Sequence, residues 1–190
     1  CFCSWKCYLV PNAYNFVVGG YFMNDKLELA SLKEAKEVFE LIKQRIDWMN
    51  QKGIHQWNTT DYLAIFPLSF FEKESELQHL YVLKEEGKVV GGLVLLNDDD
   101  RWEDHPDHTF YIHNLVTDPH VKGVGKILLL QVEQLAKEKQ VERLRLDCAK
   151  SNETLNRYYA SLGYELVGTC KEGEYIGNTR QKNLQGGAVE

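Results

Sequence analysis

The sequence predicts a mixed α/β layer in which helices pack on both faces of a central sheet. Three observations carry that expectation. Amphipathic helical stretches alternate along the chain with short apolar or alternating strands. A turn signal, Glu85-Glu86-Gly87, joins two of those strands in hairpin style. From Tyr111 to Lys139 a strand, a glycine loop and a helix follow one another directly, which lays a helix over a sheet.

The elements follow in order. Lys26 to Leu29 reads as a short strand. Ser31-x-x-Glu34 is a capping box that opens a long helix. Its buried stripe is Ala35, Val38, Phe39, Ile42, Ile46 and Met49, and Gly53 ends it. Pro67 begins a shorter helical stretch through about Lys73, and strands run from His79 to Lys84 and from Lys88 to Leu96. Residues Asn97 to His108 form a polar loop before the strand Tyr111 to Thr117. The next helix runs from about Val124 to Lys139, with Val124, Leu128, Val132 and Leu135 on one face and the pair Glu133 and Lys137 outside. Leu144 to Cys148 alternates apolar with polar, as a strand does. A second helix follows Ser151 and Asn152, burying Leu155, Tyr158, Tyr159 and Leu162, and Gly163 is its natural C′ residue. Strands at Glu165 to Cys170 and Tyr175 to Lys182 close the chain.

Length and charge narrow the function. One domain is expected from 190 residues, spanning 23–190. Residues 1–22 carry Lys6 as their only charge and lack a signal peptide's apolar core, so they read as an N-terminal extension outside that domain. A balance of 28 acidic against 22 basic residues gives a formal charge of −6 without a basic stripe, which argues against nucleic acid as a partner. No apolar run approaches the roughly 20 residues that span a bilayer, so no membrane partner is expected. Cys1, Cys3 and Cys7 have no His or second Cys pair at zinc-like spacing, and no metal is expected. An odd number of cysteines, with Cys148 and Cys170 at strand positions, fits a reducing cytoplasm better than a disulfide framework. A monomer or a homodimer is expected.

The stretch from Tyr111 to Gly125 is the most informative. Two glycines one residue apart at a helix start let a ligand approach the backbone and leave N–H groups unpaired. Together with the helix dipole they favour an anion such as a pyrophosphate. A P-loop is excluded, because His120 stands where its first glycine belongs and Ile127 where its hydroxyl belongs. A dinucleotide fingerprint keeps Gly123, Gly125 and an acid at Asp147, but has Leu128 in place of its third glycine. The acyl-CoA loop Gln/Arg-x-x-Gly-x-Gly/Ala is matched by His120-Val-Lys-Gly123-Val-Gly125 except at its first position. A strand-to-helix turn without a ligand is the plain alternative.

The pieces after the loop bear on that choice. The loop, the strand Leu144-Arg-Leu-Asp-Cys148, Asn152 after it and the ending Tyr159-Ala-Ser-Leu-Gly163-Tyr164 resemble, in order and spacing, the GNAT superfamily of acyl-CoA N-acyltransferases. The resemblance implies the GNAT fold and an N-acetyltransferase that moves an acetyl group from acetyl-CoA to an amine of a small molecule or peptide. It implies that the pyrophosphate lies on the main chain of Val121, Lys122, Gly123, Val124, Gly125 and Lys126. His120 departs from the usual Gln or Arg, which puts any side-chain contribution there in doubt. The pantetheine arm is implied to pair with the backbone of Leu115, Val116 and Thr117, with Asn152 bonding it, capping its own helix, or doing both.

For the chemistry, the resemblance implies Tyr159 as the acid that protonates the departing thiolate, with Tyr158 as a packing neighbour. Strand alternation puts Tyr111, His113 and Leu115 on one face and Ile112 and Asn114 on the other. Tyr-Ile-His-Asn-Leu-Val-Thr looks like arylalkylamine-type members, which carry a His at this position, so His113 is the candidate base; histidine side chains titrate near neutral pH. A structural histidine or a water chain is the competing reading. The acidic loop Asn97 to Asp104, with Trp102, and the residues Trp48 and Trp57 are candidates to border the acceptor cleft, although a solvated loop explains the acids equally. Two other function classes stand beside this one: a non-catalytic acyl-CoA-binding module, and a dinucleotide-binding oxidoreductase.

Overall fold

A computed structural model describes residues 26–184, together with the backbone of 16–18 and 21–23. Cys1, Cys3 and Cys7 lie outside the described residues. Strands β1 (Phe16–Val18) and β2 (Tyr21–Met23) pair antiparallel, with Phe16 opposite Met23.

The central sheet holds β3 (Glu28–Leu29), β4 (Leu80–Glu85), β5 (Lys88–Leu96), β6 (Thr109–Thr117), β7 (Arg143–Ala149), β8 (Glu165–Glu172) and β9 (Tyr175–Asn183). Their order is β3-β4-β5-β6-β7-β9-β8. Among the described strands only β6 and β7 pair in parallel, which requires a crossover helix between them. That helix is α4 (Val124–Glu138). The hairpin turn is as expected, with Glu86 and Gly87 at φ 52° and 79°, the left-handed pair of a tight two-residue connection.

Helices cover both faces. On one face lie α1 (Leu32–Lys52), the short α2 (Tyr62–Ile65) and α3 (Leu68–Glu76). Ser31 caps α1: its hydroxyl accepts from the Glu34 amide at 3.3 Å, while the Glu34 carboxylate accepts from the Ser31 amide at 2.8 Å. The α1 stripe Ala35, Val38 and Ile42 packs with Phe71 against Leu80, Val82, Val94 and Val116. Leu41 is buried as well, whereas Phe39 and Ile46 are only partly so. On the other face α4 and α5 (Glu153–Ser161) bury Ile127, Leu128, Val132 and Tyr159 against Leu93, Phe110, Ile112, Leu144 and Cys148. Each such aliphatic side chain contributes about 1.5–3 kcal/mol on burial.

Both helices approach the sheet closely at one place. A Cβ on Gly91 would lie 2.8 Å from Leu128 Cδ1 of α4, and one on Gly92 would lie 2.7 Å from Val38 Cγ2 of α1. Two glycines in the middle of β5 therefore set how closely both helices pack.

Beside these glycines β6 carries a bulge. Gly92 is opposite Val116 but Val94 is opposite His113, so β6 spends one residue more than β5 over the same stretch. The extra turn is taken at Asn114, at φ 50°, a conformation that Asn tolerates better than most residues. Its amide donates to the Tyr62 hydroxyl at 2.6 Å. The bulge shifts the expected alternation. Phe110, Ile112 and Leu115 belong to the α4-side core, while Val116 belongs to the α1-side core and Tyr111 packs on Trp102 of the loop before β6. Leu115 thus does not share a face with Tyr111, because period-two alternation fails wherever a residue is inserted.

Candidate active site

The bulge opens the sheet. Parallel pairing of β6 with β7 ends at Ile112 opposite Leu146, yet β6 runs on to Thr117 and β7 to Ala149. Beyond Ile112, β6 stays paired with β5 through Gly91 opposite Thr117, and β7 stays with β9 through Ala149 opposite Gly177. The β6 edge from His113 to Thr117 that faces β7 is therefore unpaired. A slot between two strands, with main-chain donors and acceptors on one wall, is a place for an extended ligand bearing amides.

At one end of the slot lies the glycine loop. Asp118 is buried and shapes it, accepting from the His120 amide at 2.8 Å, while the Asp118 carbonyl accepts from the Val121 amide at 3.3 Å. Gly123 carries φ 85° and caps α4, a left-handed conformation that favours glycine. Its carbonyl accepts from the Lys126 amide. Of the expected main-chain donors, the amides of Val121 and Lys126 are thus already used within the turn. Those of Lys122, Gly123, Val124 and Gly125 make no hydrogen bond among the described residues, and they sit at the positive end of α4. A Cβ on Gly125 would stand 3.5 Å from the Tyr158 hydroxyl and 3.9 Å from Thr117 Cγ2, so these three residues meet at the slot's mouth. The side chains of His120, Lys122 and Lys126 are exposed.

Arg45 of α1 was not legible as part of this region. Its Nη2 donates to the Thr117 carbonyl at 2.6 Å and to Thr117 Oγ1 at 2.5 Å, and its guanidinium stacks over Trp48 at 4.9 Å. Thr117 is thereby fixed from α1, and Trp48 packs on Arg45. Only the position of Arg45 one turn before Met49 on a half-buried helix flank hinted at it.

The other wall is β7, which leads through Asn152 into α5. Asn152 caps that helix, its Oδ1 accepting from the Leu155 amide at 3.0 Å, and its Nδ2 donates to Gln56 Oε1 at 2.8 Å. Asn152 is thus the cap of α5. Asn156, buried and not singled out by sequence, ties α5 to both neighbours: it donates to the Ala149 carbonyl at 3.0 Å and accepts from Arg180 Nη2 at 3.0 Å and from Asn178 at 2.8 Å. That anchorage places Tyr159, which packs between Tyr158 and Tyr164. Burial, with the nearby Cys148, Tyr158 and Asp147, holds the Tyr159 phenol above the ordinary tyrosine range, so it keeps its proton at neutral pH. Burial likewise pushes the Cys148 thiol up to about 11.

At the far end of the slot, side chains from three elements converge on His113 of β6. The loop between β5 and β6 supplies Asp99 and Arg101, β7 supplies Asp147, and β9 supplies Tyr175. His113 Nε2 lies 3.3 Å from Asp99 Oδ2, and Arg101 Nη2 contacts His113 Nδ1 and lies 3.3 Å from Nε2. Arg101 also donates from Nε to Asp99 at 3.0 Å and pairs through Nη1 with Asp147 Oδ1 at 3.0 Å. The second Asp147 oxygen accepts from the Tyr175 hydroxyl at 2.6 Å. Burial opposes ionisation of Asp99, but the hydrogen bond and charge of His113 and the charge of Arg101 outweigh it and hold the carboxyl well below the usual range.

The loop that carries Asp99 is only partly solvated. Asp98 and Asp104 are exposed, whereas Asp99 has 9% of its side chain in solvent. Trp102 is buried under Arg145, whose guanidinium lies 4.3 Å from the indole and donates to Asp104 Oδ2 at 2.9 Å. Trp102 therefore secures the loop to β6 and β7. Trp57 stacks on Tyr62 at 4.7 Å, and an open cleft of about 490 Å³ runs from His55, Gln56 and Thr60 to Lys150 and Tyr175. A second hollow, of about 670 Å³, lies by His105 to Phe110 and Lys139, away from the glycine loop.

Among the described residues no group of His, Cys, Asp and Glu has a metal-holding arrangement, and no helix is long and apolar enough to cross a membrane. The single parallel crossover is not the repeated unit of a doubly wound dinucleotide fold.

Comparison with known proteins agrees with this architecture. Over 155 residues the chain is 23% identical to the uncharacterized N-acetyltransferase YesJ of Bacillus subtilis (strain 168), spanning 77% of this chain and 85% of that protein. The crystal structure of a GNAT family acetyltransferase from Listeria monocytogenes 4b F2365 superposes with a TM-score of 0.73 at 24% identity, over 90% of this chain and 99% of that one. The PaiA N-acetyltransferase from Thermoplasma acidophilum, crystallised in complex with coenzyme A, gives a TM-score of 0.65 at 16% identity, over 85% and 99%. Residues 42–164, from the buried face of α1 to the Tyr164 that closes α5, match the profile of the acetyltransferase (GNAT) family. The chain belongs to that family.

Proposed function

We propose that this protein transfers an acetyl group from acetyl-CoA to a primary amine of a small molecule or peptide, by direct attack of the amine on the thioester. The observation that carries the reading is the slot between β6 and β7, with the unpaired β6 edge on one side and the free amides of Lys122 to Gly125 at its mouth. Pyrophosphate oxygens accept from those amides, and the pantetheine amides pair with Leu115 and Val116. Thr117 and Asn152 contribute less directly, because Arg45 and Gln56 already hold their polar groups. The coenzyme A bound by the PaiA relative supports the same donor here.

The acceptor approaches from the His113 end. His113 takes a proton from the ammonium, the free amine adds to the thioester carbonyl, and the tetrahedral intermediate expels the thiolate. Tyr159, which retains its proton through neutral pH, protonates that thiolate. The functional domain spans 23–190, and a chain beginning at Met23 keeps acetyl-CoA binding. Cys148 and Cys170 are free and buried thiols, which supports a reducing cytoplasm.

The test is release of free CoA with a panel of acceptors: spermidine, kanamycin, glycine amide and a dialanine peptide. Turnover with any of them supports the reading and excludes a non-catalytic acyl-CoA-binding module. Tight acetyl-CoA binding without turnover across a broader amine panel would favour that module instead.

A further inference from the structure

We infer that Asp99 and Arg101, on the loop between β5 and β6, are positioning residues for His113: Asp99 fixes which ring nitrogen carries the proton, and Arg101 covers the nitrogen that an acceptor amine must reach. The inference rests on the proposed role of His113 as the base and adds the means by which that base is prepared.

The argument starts from donor and acceptor inventory. A guanidinium has only donors and an ionised carboxylate only acceptors. His113 stands between one of each, with Asp99 Oδ2 at 3.3 Å from Nε2 and Arg101 Nη2 against Nδ1. A neutral imidazole satisfies both in one way, with its proton on Nε2 facing Asp99 and its lone pair on Nδ1 facing Arg101. Asp99 is itself held by Arg101, through Nε at 3.0 Å and Nη2 at 3.1 Å, so carboxylate and guanidinium form one rigid unit. Side-chain exposure is 9% for Asp99 and 15% for His113, low enough for these contacts to be strong.

The remaining groups around the ring complete the electrostatics. Asp147 of β7 binds Arg101 Nη1, Tyr175 of β9 donates to Asp147, and Cys170 of β8 lies near Arg101. Asn114, next to His113, donates to Tyr62 of α2. Two carboxylates thus share one guanidinium. An ammonium is also a pure donor cation, so it can take over the contact to Nδ1 while Asp99 and Asp147 keep a cationic partner. In the proton step one ammonium N–H bond breaks and an Nδ1–H bond forms. The resulting imidazolium donates from Nε2 to Asp99, the amine is left neutral, and the proton later leaves from Nδ1 to solvent. Asp99 stabilises that imidazolium, and Arg101 opposes it.

The experiment reads the protonation site of His113 by long-range ¹H–¹⁵N NMR on the full chain, for the wild type, Asp99→Ala, Asp99→Asn and Arg101→Gln. The wild type should show the neutral ring with its proton on Nε2. Asp99→Ala should lose that preference and populate both tautomers. Asp99→Asn, whose amide oxygen still accepts from Nε2–H, should keep the tautomer but lose the charge. The acid limb of kcat/KM should then move to lower pH. In Arg101→Gln the limb should move to higher pH, and KM for the panel amine that turns over should fall by about tenfold, the effect of one charge-assisted hydrogen bond. KM for acetyl-CoA should stay unchanged in every variant. A wild-type proton on Nδ1, or a tautomer indifferent to Asp99→Ala in a chain that remains folded, overturns the inference. The role of His113 as base is judged separately: if His113→Gln retains the acid limb, the base lies elsewhere, whatever the tautomer shows.

Discussion

At the mouth of the slot the groups available to a ligand are the main-chain amides of Lys122 to Gly125, whereas at its far end they are side chains of Asp99, Arg101, His113, Asp147 and Tyr175 from four separate elements. The first set is fixed by one left-handed glycine and one helix start. The second depends on a bulge in β6, a loop pinned by Arg145 and a chain of ion pairs. A site made of backbone tolerates side-chain change as long as the turn survives, and at His120 it is the amide, bonded to Asp118, that takes part in the turn while the side chain is exposed. A site made of converging side chains changes with any one of them. In the proposed reading the backbone end takes the acetyl donor and the side-chain end takes the acceptor.

Substitutions can break that contrast, the most severe first. Tyr159→Phe removes one hydroxyl and keeps the ring that packs against Tyr158 and Tyr164. General acids contribute roughly 10²–10⁴-fold, and kcat should fall by an amount in that range. KM for acetyl-CoA should change little, since the proposed donor contacts are to backbone and not to this hydroxyl. Because burial raises the Tyr159 phenol, the wild type should keep its proton-donating ability up to and beyond about pH 10, the ordinary tyrosine range. Steady-state rates with full kcat in the variant would show the tyrosine to be structural. His113→Gln should remove the acid limb of kcat/KM while leaving acetyl-CoA affinity unaltered. A pH profile that keeps its limb hands the base role to water or to the amine itself.

Gly125→Val comes next and acts on the donor end alone. The new Cβ meets only ordinary contacts, 3.5 Å from the Tyr158 hydroxyl, so the fold should survive and thermal unfolding should shift little. Acetyl-CoA affinity should drop by about 10- to 100-fold, as expected when hydrogen bonds to a charged group are blocked. Equal affinities in a calorimetric titration would remove the basis for placing the pyrophosphate on this loop.

These two ends were not equally legible in the sequence. The capping box at Ser31, the Glu86-Gly87 turn, the α4 stripe and the glycine loop are each specified within a few residues, and local chemistry sufficed to find them. Asn114 is different. Nothing in Tyr-Ile-His-Asn-Leu marks a bulge, because the bulge exists only through pairing with Gly92 and Val94 and through the bond to Tyr62 from a distant helix. Without it, alternation put Leu115 with His113. The helix α2 has no local signal for a related reason: four residues held by Trp57, Tyr62 and Phe66 stacking have no helical period of their own. The acidic loop reads as solvated, yet Asp99 is held by Arg101 and by His113, while Trp102 is buried under Arg145, a contact across 43 residues of chain that no local pattern marks. Asp147 stands out in the sequence as a spaced acid after a glycine pair, and strand alternation sets it on the same face as Arg145.

The smallest effect should come from the rim of the acceptor end, where Asp104 holds Arg145. The Asp104 side chain is 68% exposed, so its ion pair at 2.9 Å is screened by water and contributes less than a buried pair would. Arg145 meanwhile keeps its stacking on Trp102 and its Nη1 bond to the Asp104 carbonyl at 3.0 Å, so the loop stays attached to β7. Asp104→Ala should therefore leave the fold and acetyl-CoA affinity unchanged and raise KM for the amine by about fivefold at most, the equivalent of an exposed pair worth roughly 1 kcal/mol or less. The difference between variant and wild type should shrink further as salt is raised, because exposed charges are screened over about 10 Å at 0.1 M ionic strength. A much larger change in amine KM, insensitive to salt, would mean that Asp104 meets the acceptor directly. The acceptor end would then extend from His113 out to the loop's exposed edge, and the contrast with the donor end would be sharper than the buried network alone makes it.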